Sequence, residues 1–131
     1  EIYLDELKAR GLNLTRIFTG SYVELPWAFG IEKNTLAPAP GRFLAPWARS
    51  DKPGYKNGGN RFDLGKWDGA YFERLRHFVA EAGKRGIVVE VSLFSSLYGD
   101  NGWKASPLHP DNNVNGVGKG VDRKKVHTLD N

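Results

Sequence analysis

Two stretches of this chain are written in the same grammar, and that repetition restricts the fold more than any other feature. "KARGLNLTRIFTGSY", residues 8–22, and "GKRGIVVEVSLFSSLY", residues 83–98, each end a helix on Arg-Gly, continue as a short apolar strand and enter a Ser/Thr-rich turn. The helix before the first is "EIYLDELKARG", with Tyr3, Leu4 and Leu7 at helical spacing and Gly11 as the stop after Lys8 and Arg10. The helix before the second is "WDGAYFERLRHFVAEAGKRG", where Phe72, Leu75, Phe78, Val79 and Ala82 share a face, Asp68 is the N-cap and Gly86 the stop. Two such strands joined through a helix lie parallel, with a right-handed crossover, in a sheet covered by helices. The expected fold class is α/β.

Strand parity narrows this further. Ile87, Val89, Val91 and Leu93 fall on one face of the second strand, and Glu90, Ser92 and Phe94 on the other. An open doubly wound sheet is apolar on both faces, whereas a barrel interior accommodates polar side chains that reach one another, so the mixed face favours a (β/α)8 barrel. The first strand, Leu12 to Phe18, carries one discordant residue, Arg16. Its guanidinium does not deprotonate and is costly to bury unpaired, so it must meet a carboxylate, an anion or water. If the two half-units align, Glu90 is the level partner on the neighbouring strand. Arg16 is then either a site organiser or half of a structural salt bridge, and the first reading is favoured by its place near the strand's end.

Residues 19 to about 66 separate the first strand from its following helix, where about 2 to 6 residues are usual. This insertion is rich in Gly, Pro and Asn, yet it holds Tyr22, Trp27, Phe29, Phe43, Trp47 and Tyr55, an aromatic content expected of an ordered loop. A second insertion, residues 95 to about 122, holds Tyr98, Trp103 and "HPDNNVNG". Both leave the C-terminal ends of strands, where α/β folds build their sites.

The aromatics Tyr22, Trp27, Trp47, Tyr98 and Trp103, interleaved with Asn57, Asn60, Asn112, Asn113 and Asn115, form the mixture a sugar cleft requires: rings for the C–H faces and amides for the hydroxyls. The competing role for Trp27 and Trp47 is to anchor the long loop. Glu90 lies too deep in its strand for a catalytic acid. Glu24, Asp51, Asp100 and Asp111 sit on the loops, but no pair has a spacing that prescribes two cooperating carboxylates, and each is read as solvated. His77, His109 and His127 lack metal-ligand spacing, so no metal is expected. "NGGN" and "NGVGKG" do not match phosphate-binding loops, and no cofactor is expected.

At 131 residues, 40% hydrophobic and 26% charged, the chain suits one soluble domain. No run approaches the roughly 18 apolar residues of a membrane span, and the first residues lack a signal pattern and an initiator Met. The absence of Cys excludes disulfides and a cysteine nucleophile within these residues and leaves the compartment open. The net charge of +4 arises from scattered residues, and the one dense run, "KGVDRKK" at 119–125, reads as solvated surface rather than a nucleic-acid site.

Three segments, "LDELKARGLNLTRIFTGSYVE", "FDLGKWDGAYFERLRHFVAEAGKRGIVVEVSLFSS" and "SPLHPDNNVNG", together resemble the front part of cellulase-like glycoside hydrolases, barrel enzymes with two catalytic glutamates. The resemblance implies that residues 1–131 are the N-terminal part of one barrel domain, truncated at both ends: a partial (β/α)8 TIM barrel of roughly helix 1, strand 2, helix 2, strand 3 and their loops. It implies a retaining enzyme acting on a poly- or oligosaccharide, with the two carboxyls about 5 to 5.5 Å apart. The acid/base, expected at the end of the fourth strand, and the nucleophile, at the end of the seventh, match nothing in this chain. Arg16 corresponds to the arginine that orients the nucleophile and keeps it ionised, and Tyr22, Trp27, Trp47, Tyr98, Trp103, Asn112 and Asn113 are the candidate sugar contacts. The implied partners are carbohydrate and the rest of the barrel, with neither nucleic acid nor membrane, and the implied location is secreted or periplasmic. The alternative is a noncatalytic carbohydrate-binding or structural barrel. Because a partial barrel leaves strand edges unpaired and its inner face uncovered, these residues alone are expected to be marginally stable, aggregation-prone, or stable only in the full-length setting.

Overall fold

A computed structural model describes residues 1–20, 22–97 and 99–126. Both half-units are present. Helix α1 (Ile2–Ala9) leads to strand β1 (Leu14–Phe18), and helix α2 (Gly69–Lys84) leads to strand β4 (Val88–Ser92). Asp68 caps α2 by accepting a hydrogen bond from the Ala70 amide. Past the two helix ends, Gly11 and Gly86 adopt φ of 70° and 71°, the left-handed conformation that a side chain disfavours.

β1 and β4 pair in parallel, with Leu14 opposite Val88, Arg16 opposite Glu90 and Phe18 opposite Ser92. The expected parity holds for Ile87 and Val89, whereas Leu93 lies past the strand's end and is exposed. Leu4 of α1, Ala82 of α2 and Ile87 form the buried core of this layer, with Leu7, Phe78 and Val89 packed against it. Both helices therefore cover one face of the pair. The opposite face carries Leu14, Arg16, Phe18, Val88 and Glu90, all exposed. Each strand of the pair has a neighbour on one side only among the described residues.

The first insertion differs from the expected loop, because a β-hairpin occupies its second half. Strand β2 (Trp47–Pro53) pairs antiparallel with β3 (Asn60–Trp67), and Ala45, Tyr55 and Phe62 form a second core beneath it. Arg49 lies within this core, its guanidinium 4.5 Å from the Tyr55 ring centroid and 4.0 Å from that of Phe62, and donates to the carbonyls of Asn60 and Phe43. Two register shifts interrupt the ladder. They break the strict alternation by which a strand is recognised in sequence.

Helix α3 (Asp100–Ala105) and a 3-10 turn at Pro110–Asn112 order the second insertion. The described chain is thus a mixed α/β structure with one parallel pair and one antiparallel hairpin, and no closed barrel is formed by the described residues.

α1 and α2 are also joined electrostatically. Arg85, at the C-cap of α2, donates to Asp5 at 2.6 Å and to Glu81 at 2.8 Å, and Lys84 also binds Glu81. Hydrogen bonds from Lys84 and Arg85 hold the Glu81 carboxyl down at about 2, and that from Arg85 lowers Asp5. A carboxyl depressed in the folded state contributes stability above its unfolded pKa and loses it as pH falls through the folded value. The denaturation midpoint should therefore fall as pH drops from about 4.5 toward 2, and Glu81→Gln should flatten that slope. An unchanged slope in the variant would remove this linkage.

Candidate functional site

The helix-free face of the parallel pair brings its charged residues together at one level. Arg16 Nη2 lies 3.0 Å from each carboxylate oxygen of Glu90. The two side chains are 60% and 46% exposed, so the pair contributes at most about 1 kcal/mol to stability. This one nitrogen serves both oxygens. Arg16 makes no other side-chain hydrogen bond among the described residues, which leaves Nε and Nη1 as donors for a further acceptor.

Beside Arg16 a cleft of about 540 Å³ opens between the end of β1, residues 22–44 of the first insertion and α2. Phe18, Phe43, Leu75 and Phe78 give it apolar walls. Glu24, the one acid in its lining among the described residues, is fixed: Oε2 accepts from the Tyr22 hydroxyl at 2.7 Å and Oε1 from Asn34 Nδ2 at 2.9 Å. The Tyr22 ring lies 6.0 Å from that of Phe18. On the opposite wall burial pushes the Tyr71 phenol up, so its hydroxyl keeps its proton and can donate. Arg42 and Arg74 complete the lining; both are exposed, and neither has an ion-pair partner among the described residues.

The structure divides the candidate sugar contacts. Tyr22 lines the cleft, as does Arg16. Trp27 is 63% exposed on a turn outside the cleft lining. Trp47 belongs to β2 and packs against the Ala45–Tyr55–Phe62 core, the anchoring role. Trp103 is buried in α3, edge-on to His109 at 4.9 Å. Tyr98 and His127 lie outside the described residues.

Asn112 and Asn113 are buried and have their amides engaged by the backbone. Asn112 Nδ2 donates to the carbonyls of Lys104 and Ser106, and its Oδ1 accepts from the Lys56 amide. Asn113 Nδ2 is shared among the carbonyls of Pro107, His109 and Val117, while Oδ1 accepts from the amides of Asn115 and Val117. Asn115 in turn accepts from the Leu64 amide and donates to Asp63. "NNVNG" therefore docks the second insertion onto the hairpin. Asn57 and Asn60 also donate within the first insertion, to Pro38 and Ser50.

Of the loop acids, Asp51 pairs with Lys52, Asp100 with Arg123 at 2.9 Å, and Asp111 lies 3.7 Å from His109. Burial lowers the His109 pKa, and its Nδ1 accepts from the Asp111 amide. Glu1, His77 and Glu81 each place a ligand atom within 4.8 Å of the others. Lys84 and Arg85 already bind Glu81 there, and their charges oppose a cation.

Sequence reasoning overlooked Arg42, Tyr71 and Arg74. Tyr71, Arg74 and Phe78 stand at helical i, i+3 and i+7 positions, a mixed stripe along one face of α2 that was readable before the structure. No protein-family model, curated protein or solved structure matches this chain.

Proposed function

We propose that residues 1–131 are the N-terminal part of a (β/α)8 barrel in a retaining glycoside hydrolase of the cellulase-like kind, whose two catalytic glutamates lie on strands outside this chain. The observation that carries the reading is Arg16: its guanidinium pairs with Glu90 on the helix-free face of a parallel strand pair, the residue also lines the cleft, and among the described residues Nε and Nη1 meet no further side chain. The exposed Leu14, Phe18 and Val88 beside it support an inner face that further strands would cover.

In this reading one glutamic acid protonates the leaving oxygen while the second attacks the anomeric carbon. Water, deprotonated by the first, then hydrolyses the glycosyl ester. Arg16 donates from Nε or Nη1 to the attacking carboxylate, orienting it and holding it ionised at neutral pH. Tyr22 and the apolar walls receive the sugar.

The test is hydrolysis by the full-length protein that contains these residues, with the anomer followed by NMR. Release of a sugar with its anomeric configuration retained is expected. Inversion refutes the mechanism, and firm polysaccharide binding without any cleavage assigns the protein to the noncatalytic barrels instead.

A further inference from the structure

The polarity of the cleft goes beyond a generic sugar site. Among the described residues its lining includes three arginines, Arg16, Arg42 and Arg74, and one acid, Glu24. Arg16 is balanced by Glu90, and Glu24 is already held by Tyr22 and Asn34. Arg42 and Arg74 have no acidic partner among the described residues, although the chain forms many arginine ion pairs elsewhere, at Arg10, Arg76, Arg85 and Arg123. They line one cleft from two different elements, the first insertion and α2. A neutral glycan gives two such cations nothing to neutralise, whereas an anionic one does, through forked, charge-assisted hydrogen bonds.

We propose that this cleft takes an anionic saccharide, one bearing a carboxylate or a sulfate, with its charged group between Arg42 and Arg74 and its ring against the apolar wall. Glu24 faces the hydroxyl-bearing edge of the sugar, where a fixed acceptor is useful and an anion is not. Tyr71 supplies a neutral donor from α2. The proposal rests on the glycosidase reading and specifies its substrate class.

The experiment compares, by calorimetry on the full-length protein, oligogalacturonides, sulfated galacto-oligosaccharides and neutral oligosaccharides of equal length. At least one anionic series should bind about tenfold tighter than the neutral one, the margin shrinking as salt is raised, and the series that wins identifies the charged group. The double variant Arg42→Gln/Arg74→Gln should lose that margin. Both residues are exposed and lack an ion-pair partner among the described residues, so the fold tolerates the change, and an unaltered circular dichroism spectrum verifies it. Neutral sugars bound or cleaved as well as anionic ones would overturn the charge assignment and leave the glycosidase standing. Inorganic sulfate competing as strongly as the oligosaccharides would reduce the site to an anion site and overturn the proposal. Failure to bind or cut any saccharide would sink both readings.

Discussion

Arg16→Gln in the full-length protein is expected to lower kcat/KM by about 10²–10³-fold, the loss that follows when one preorganised charged donor is removed from a reacting group. Stability should change by no more than about 1 kcal/mol, because the pair it breaks is largely solvated. Glu90→Gln separates the two roles of the arginine. If Arg16 exists only to neutralise Glu90, both substitutions should have equally small effects on turnover. If it serves a catalytic carboxylate, Glu90→Gln leaves the guanidinium in place and costs less than about tenfold, while Arg16→Gln costs the full amount. Arg16→Lys should not rescue, since an ammonium cannot fork between two carboxylates held in different directions.

The largest loss of stability should come from Asn113→Ala. Removing this amide leaves the carbonyls of Pro107, His109 and Val117 without their shared donor, and the amides of Asn115 and Val117 without their acceptor. The residue is 2% exposed, so water does not replace the lost bonds at low cost. Each buried group left unpaired costs about 1–3 kcal/mol, and partial relaxation of the loop brings the sum to about 3–5 kcal/mol. In the full-length protein, where each kcal/mol moves the midpoint by about 2–4 °C, a fall in Tm of about 6–20 °C is expected. Asn113→Asp should be no milder at neutral pH, because it sets a buried carboxylate oxygen against the three carbonyls that the amide served. A shift of less than about 2 °C in the alanine variant would show that the loop is not held by this residue.

The half-unit grammar was legible because each of its signs has a local cause. Asp68 caps α2, Gly11 and Gly86 take positive φ, and the parity of Ile87 and Val89 places them under the helices. Even the pairing of Arg16 with Glu90 followed from aligning the two units. The hairpin at β2–β3 was hidden for a physical reason: its ladder slips twice, and its core is completed by Tyr55 from the turn and by the cation Arg49, which breaks the apolar pattern of a strand. The asparagines were ambiguous for another. Asn is equally suited to sugar hydroxyls and to orphan carbonyls, and only the burial of Asn112 and Asn113 tells the two uses apart. The cleft unites residues 16, 42 and 74, whose proximity depends on how the first insertion folds back over α2. No spacing in the sequence encodes that.

The sharpest measurement is the pH dependence of kcat/KM for the full-length wild-type protein and its Arg16→Gln variant on the same glycan. A guanidinium that keeps the nucleophile ionised sets the acid limb low, and its removal should move that limb upward by about one to three pH units, with the alkaline limb unmoved. An acid limb at the same pH in both proteins, or no glycosidic cleavage by the wild type at any pH, would contradict the role assigned to Arg16.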